Sequence, residues 1–144
     1  MKNSQLQELA SLFFSTRQII RSRLPEGAAD PNAWMHFETM RFIEDSGAPT
    51  MQEVAAYLRI KAPSATSVIA HLAGKGFILR RAGERDKRVI QLVLTSRGKK
   101  ALAAHQKRSD ATMRKVFSEF ADTEIRELAS ILRHLRDVHD SSVQ

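Results

Sequence analysis

The chain contains no cysteine. Disulfides, thiolate metal sites and thiol-based redox sensing are thereby excluded, and a reducing cytosol is a compatible setting. Long apolar runs are also missing: no window approaches the roughly 18 uninterrupted apolar residues of a membrane span. The N-terminal stretch MKNSQLQELASLFF breaks up its apolar residues with polar and charged ones, unlike the continuous core of a signal peptide. The expectation is a soluble, cytoplasmic protein without membrane contact. Catalytic constellations are equally scarce. His36-Phe37-Glu38 has the His-x-Glu spacing of zinc deaminases, but their cysteine pair cannot exist here. His134 and His139 are five apart and diverge on a helix, and no HExxH, phosphate-binding glycine loop or nucleophile elbow occurs. No enzymatic activity, cofactor or metal is expected.

One further scarcity is local. Residues 59 to 100 hold only 2 of the 16 acidic residues but 11 of the 23 Lys and Arg, a net charge of +9, while the rest of the chain sums to −2. A field concentrated on one stretch captures a polyanion, whereas the same charge spread evenly would mainly aid solubility.

At 144 residues and 42% hydrophobic, the chain can bury one good core. Leu6, Leu9, Phe13 and Ile20 recur at helical spacing, so residues 4 to 24 read as an amphipathic helix ending before Pro25. Asp30 and Pro31 read as the cap and first position of a second helix through about Asp45, with Trp34, Phe37, Met40 and Ile43 as its apolar set. Thr50-Met51-Gln52-Glu53 is a capping box that opens a short helix through Leu58. Across Arg59-Ile60-Lys61-Ala62 a further helix follows, in which Ala65, Val68, Ile69 and Leu72 keep one register and Gly76 supplies the stop. FILRR and VIQLVL, joined by a loop containing Gly83, suggest a two-stranded ribbon. Thr95 then caps a long helix to about Phe120, and Asp122 a last one with Ile125, Leu128, Leu132 and Leu135 as its stripe. The fold class is mainly α with a small β-ribbon (α+β).

A helix-turn-helix with a ribbon places side chains on DNA. With Ala65, Val68, Ile69 and Leu72 facing the core, Ser64, Ser67 and His71 project together as candidate base readers, and Lys61 and Thr66 position the helix on phosphates. At the ribbon tip, Arg85, Lys87 and Arg88 suit the minor groove. Asp86, a carboxylate among phosphates, is better explained as orienting an Arg through a charge-assisted hydrogen bond. Of Arg80 and Arg81, one pairs internally and the other faces phosphate, with Arg81 assigned to DNA. The apolar stripes of the terminal helices call for a partner, and a homodimer would set two reading heads roughly 34 Å apart on one face of the duplex.

The segments VAAYLRIKAPSATSVIAHLAGKGFILR and RDKRVIQLVLTSRGK resemble the helix-turn-helix and wing of the MarR family of bacterial winged-helix transcriptional regulators. The wing signature, Asp-x-Arg followed by a strand and Leu-Thr-x-x-Gly, is carried by Asp86, Arg88, Leu94, Thr95 and Gly98. The resemblance implies a single domain over 1–144: dimerisation helices at about 4–24 and 96–140 around a winged helix-turn-helix lobe at about 31–95. It further implies a homodimeric regulator, more often a repressor, on a pseudo-palindromic operator in double-stranded DNA. Asp86 and Arg88 would inherit the wing's structural and minor-groove roles. Many members also take a small aromatic or carboxylate effector, for which Phe13, Phe14, Arg17, Trp34, His36 and Met40 are the candidates here. Two positions depart from the family pattern. Arg59 stands where the turn often has glycine, and Lys61 where a capping Ser or Thr is usual; either Lys61 has exchanged a cap for a phosphate contact, or Ala62 starts the helix with Pro63 at its first position. The alternative to a specific regulator is a winged-helix adaptor for protein partners or a non-specific DNA binder.

Overall fold

The structure is a computed structural model and describes residues 2–23 and 32–140. Among the described residues the elements follow the order α1 (Asn3–Arg23), α2 (Ala33–Ser46), α3 (Met51–Leu58), α4 (Ala62–Gly74), β1 (Ile78–Ala82), β2 (Ile90–Leu94), α5 (Ser96–Val116) and α6 (Asp122–Asp140). The sequence-based cap at Asp30 and Pro31 lies outside the described residues. The described residues divide into two compact units, one comprising residues 2–23 and 110–140, the other residues 32–109.

The second unit, the lobe, is built around Met40, Ile43, Val54, Val68, Ile69, Leu72, Ile78 and Leu92, each buried. Full burial of such a side chain contributes about 1.5–3 kcal/mol, so this cluster, drawn from α2, α3, α4 and both strands, holds the helix-turn-helix and the ribbon as one body. Trp34, expected in the same apolar set, is 59% exposed. It sits in the first turn of α2, ahead of Thr39, Met40 and Ile43, which are the buried residues of that helix.

β1 and β2 pair antiparallel from Ile78 opposite Leu94 to Ala82 opposite Ile90. The loop before α3 adds a third contact to this ribbon. The Leu92 N–H donates to the Pro49 carbonyl at 2.9 Å, and Thr50 bridges to Gln91.

The first half of α5 also belongs to the lobe, because Ala101 and Leu102 pack against the core and the His105 ring stacks on Phe37 with centroids 3.6 Å apart. α5 ends at Val116, earlier than the expected Phe120, where the Phe117 and Phe120 rings meet edge-on across a tight turn.

In the other unit, α1 and α6 present their apolar side chains outward in the single chain. Asp122, expected as the cap of α6, is instead the first residue inside it. Ala121 takes the cap position, where its carbonyl accepts from the Ile125 N–H and its own N–H donates to Glu124 Oε2 at 2.8 Å. Glu124 thus closes the helix start from within, which leaves Asp122 to complement the positive end of the helix dipole.

Candidate nucleic-acid interface

The capping box forms as its spacing requires: Thr50 Oγ1 accepts from the Glu53 N–H at 3.3 Å, and Glu53 Oε2 accepts from the Thr50 N–H at 2.7 Å. α3 ends at Arg59, which adopts the left-handed conformation with φ 54° and ψ 41°. A non-glycine residue there costs about 1–2 kcal/mol. The geometry survives because the Arg59 N–H donates to the Ala56 carbonyl and the Ile60 N–H to the Ala55 carbonyl, both at 3.1 Å. The positive φ of the turn is therefore retained without glycine.

Lys61 is the N-cap of α4 in extended conformation and makes no side-chain capping bond; Ala62 and Pro63 are the first and second helical residues. Pro63 lies one position further in than the sequence suggested, still where its missing N–H has no helical acceptor. Thr66 Oγ1 donates back to the Ala62 carbonyl at 3.0 Å. Ala65, Val68, Ile69 and Leu72 are buried, and Ser64, Thr66, Ser67 and His71 are exposed. The helical advance of 3.6 residues per turn sets Ser67 opposite the core, Ser64 and His71 toward one flank and Thr66 toward the other. His71 carries a contact that local pattern could not reveal: its ring stacks on that of His36 in α2, with centroids 4.3 Å apart and 16° between planes.

α4 closes on Gly76 at φ 73°, the N–H of Phe77 donating to the Leu72 carbonyl at 3.0 Å in the manner of a Schellman motif. At the far end of the ribbon, the Gly83 N–H donates to the Val89 carbonyl and the Val89 N–H to the Asp86 carbonyl. A Cβ on Gly83 would lie 2.7 Å from that Asp86 oxygen, so the tip closes only around glycine.

Asp86 clasps Arg88 in two ways. Oδ1 accepts from the Arg88 N–H at 3.0 Å and from Nε at 3.1 Å, while Oδ2 accepts from Nη2 at 3.2 Å. These bonds, the side-chain ones first, hold the Asp86 carboxyl below the usual carboxylate range. The guanidinium, with its side chain 92% exposed, is held along its Nε–Nη2 edge rather than covered. Arg80, Arg81, Arg85 and Lys87 are exposed around it, and Arg81 lies 4.0 Å from Glu84.

The wing joins α5 through Thr95. Its Oγ1 donates to the Gly76 carbonyl at 2.6 Å and accepts from the Gly98 N–H at 3.0 Å, so one hydroxyl caps α5 and ties it to the end of α4. A Cβ on Gly98 would stand 2.2 Å from the Phe77 carbonyl oxygen, which explains why this threonine and this glycine go together.

A second clamp escaped sequence reasoning. Glu38 and Arg41 of α2 meet Tyr57 of α3: the Tyr57 hydroxyl donates to Glu38 Oε2 at 3.1 Å, Arg41 Nη2 pairs with the same oxygen, and the Phe42 and Tyr57 rings stack at 4.2 Å. Burial, reinforced by the Glu38 charge, raises the Tyr57 hydroxyl above its ordinary range. The separation of 19 positions between Glu38 and Tyr57 hides this contact from periodicity.

All ten residues singled out for DNA contact thus lie on the lobe, all exposed but Asp86, which is half-buried. The effector candidates divide. Met40 is fully enclosed in the lobe core, and Trp34 is exposed. His36 is half-buried against His71, and Phe13, Phe14 and Arg17 are exposed on α1 in the other unit. Met40 at 0% exposure has no surface to offer a ligand in this conformation. Among the described residues no group of three or more His, Asp and Glu is placed to hold a metal, and no helix is long and apolar enough to cross a membrane.

Residues 34–90 match the model of the MarR family. An HTH-type transcriptional regulator of Bacillus subtilis, YpoP, is 22% identical over 135 residues, covering 94% of this chain and 96% of its own. Among solved structures, a MarR mutant from E. coli complexed with operator DNA aligns with a TM-score of 0.75 at 21% identity, covering 91% of this chain and 95% of that one. Streptococcus pneumoniae FabT in complex with DNA aligns with a TM-score of 0.74 at 21% identity, covering 97% and 99%. The helix-turn-helix and most of the wing thus lie inside the stretch that matches the MarR family model, and the fold is similar to that of these solved structures over nearly the whole length of the chain.

Proposed function

We propose that the chain is a sequence-specific repressor that binds a pseudo-palindromic operator in double-stranded DNA as a homodimer in the cytoplasm. The observation that carries this reading is the Asp86–Arg88 clasp: an arginine whose Nε–Nη2 edge is held by Asp86 while its side chain stands in solvent at the tip of a ribbon, on the same lobe as the exposed face of α4. Such a guanidinium suits the negative potential of a narrow minor groove, while Ser64, Ser67 and His71 meet base edges in the adjoining major groove. Lys61, Thr66, Arg81, Arg85 and Lys87 take phosphates. Crystallised relatives complexed with DNA support the same use of this fold.

Dimerisation is supported by the outward apolar side chains of α1 and α6. Phe13, Ile131 and Leu132 are 55%, 66% and 48% exposed in the single chain, an arrangement that burial against a second copy would relieve. Control by a small aromatic or carboxylate effector rests on the family resemblance; Trp34, His36 and the α1 residues Phe13 and Arg17 remain its candidates.

Selection of bound duplexes from a random DNA pool at near-physiological salt tests the reading. Enrichment of an inverted repeat with half-sites about one helical turn apart is the expected outcome. A folded protein that enriches no motif would refute sequence-specific binding, and a salt titration would then separate a non-specific DNA binder from a protein adaptor.

A further inference from the structure

We infer that His36 is a positioning residue for DNA recognition: its imidazole is a platform that fixes the ring of His71 and thereby sets the base preference at the position His71 reads. The inference rests on the proposed role of His71 at the DNA surface. His71 is exposed on a flank of α4, where a lone side chain would sample several rotamers and lose that freedom on binding. The stack on His36, at 4.3 Å and 16°, removes the freedom before DNA arrives. A face-to-face contact does so without using hydrogen-bonding capacity, because both ring nitrogens lie in the ring plane.

The platform is itself held. The next residue, Phe37, is stacked on His105 of α5 with centroids 3.6 Å apart and 6° between planes. One turn further along α2, Thr39 and Met40 are fully buried, and Thr39 Oγ1 donates to the Met35 carbonyl at 2.7 Å. His36 therefore stands on a helix whose roll about its axis is fixed by the lobe core. Side chains that touch DNA gain precision from such a supporting contact.

The test compares His36→Leu, His36→Phe, His71→Ala and the His36→Leu/His71→Ala double variant by selection from a random pool, each variant first shown to be folded. Leucine keeps much of the volume at position 36 but has no aromatic face, whereas phenylalanine keeps the face. His71→Ala should flatten preference at one base in each half-site. His36→Leu should flatten the same base by about 2- to 10-fold, the range of an aromatic pair, with the salt slope unchanged. His36→Phe should restore the preference, and the double variant should be no worse than His71→Ala alone.

If His71→Ala alters that base and His36→Leu leaves it intact, the platform is overturned while the reading of His71 stands. A uniform loss across all sequences in His36→Leu would show a merely structural role and overturn it as well. If His71→Ala changes no base preference, the reader assignment fails and the platform with it.

Discussion

Gly98→Ala sets two known effects against each other with opposite signs. Gly98 lies in the first turn of α5, and helix propensity alone favours alanine by at most about 1 kcal/mol. The added Cβ, however, would stand 2.2 Å from the Phe77 carbonyl oxygen, 3.0 Å from its carbon and 3.2 Å from its Cα. These are backbone atoms, and the same carbonyl already accepts from the Thr95 N–H at 3.0 Å, so it cannot swing aside like the end of a side chain. Relief requires the start of α5 to retreat by roughly 1 Å, which strains the Thr95 bonds to Gly76 and Phe77, each worth about 1 kcal/mol. Overpacking adds about 1–3 kcal/mol. Sterics should win, leaving the variant about 2–4 kcal/mol less stable, which at a urea m-value near 2 kcal/mol/M lowers the midpoint by about 1–2 M. Gly74→Ala is the matched control: it ends α4 with nothing within 4 Å of an ideal Cβ and no positive φ, so it should gain about 0.4–1 kcal/mol. Both are measured by urea unfolding at one protein concentration, since association shifts apparent stability. A Gly98→Ala midpoint equal to or above that of the parent would refute the close-approach reasoning.

Asp86→Asn removes a negative charge from the wing yet should weaken operator binding, because it frees the Arg88 guanidinium from its clasp; tighter binding would mean that net charge outweighs orientation. Arg88→Ala should flatten the salt dependence by about one phosphate, and Ser67→Ala should relax preference at particular bases; a titration and a selection experiment read these separately. Leu132→Asp, on a face already exposed in the single chain, should leave the helices folded and shift sedimentation from dimer to monomer, and an unchanged dimer would exclude α6 from the interface. Burial, with Arg108 nearby, holds the His105 imidazole below its ordinary value of about 6.5, although Glu38 pulls the other way. The unfolded chain then binds more protons than the folded one between those values. The contribution is fully present above about pH 6.5 and is lost as pH falls through the lower folded value. His105→Phe keeps a ring against Phe37 and should remove that part of the acid sensitivity of the unfolding midpoint.

Local signals were legible. The Thr50 capping box, the Ala65 to Leu72 register, the Gly76 stop and the Thr95 cap each depend on residues within a few positions of one another, which is the range over which helix geometry speaks. Asp86 was legible as an orienting group because a carboxylate within a cluster of Arg and Lys finds its electrostatic reason in a neighbouring guanidinium, and the structure pairs it with Arg88. Arg59 was not: the left-handed turn is enforced by backbone bonds to Ala55 and Ala56, and no side-chain preference announces it. Trp34 looked like core because periodicity gives a face but not how far the neighbouring elements reach along it. The His36–His71 and Glu38–Tyr57 contacts join helices distant in sequence, so only the packed lobe reveals them.

The bridge between Thr50 and Gln91, with the Leu92 amide bonded to Pro49, gives the wing an anchored root, whereas among the described residues the tip is closed by the bonds of its own turn. In kinetic terms the ribbon is graded along its length. The Leu92 amide, buried and shared with the entrance to α3, should exchange with deuterium only when the whole lobe opens. The amides of Arg85 and Lys87 should exchange on the timescale of local fluctuation. On the proposed reading, a tip closed by its own turn, on a root tied to the entrance of α3, would follow variations in groove width without disturbing α4.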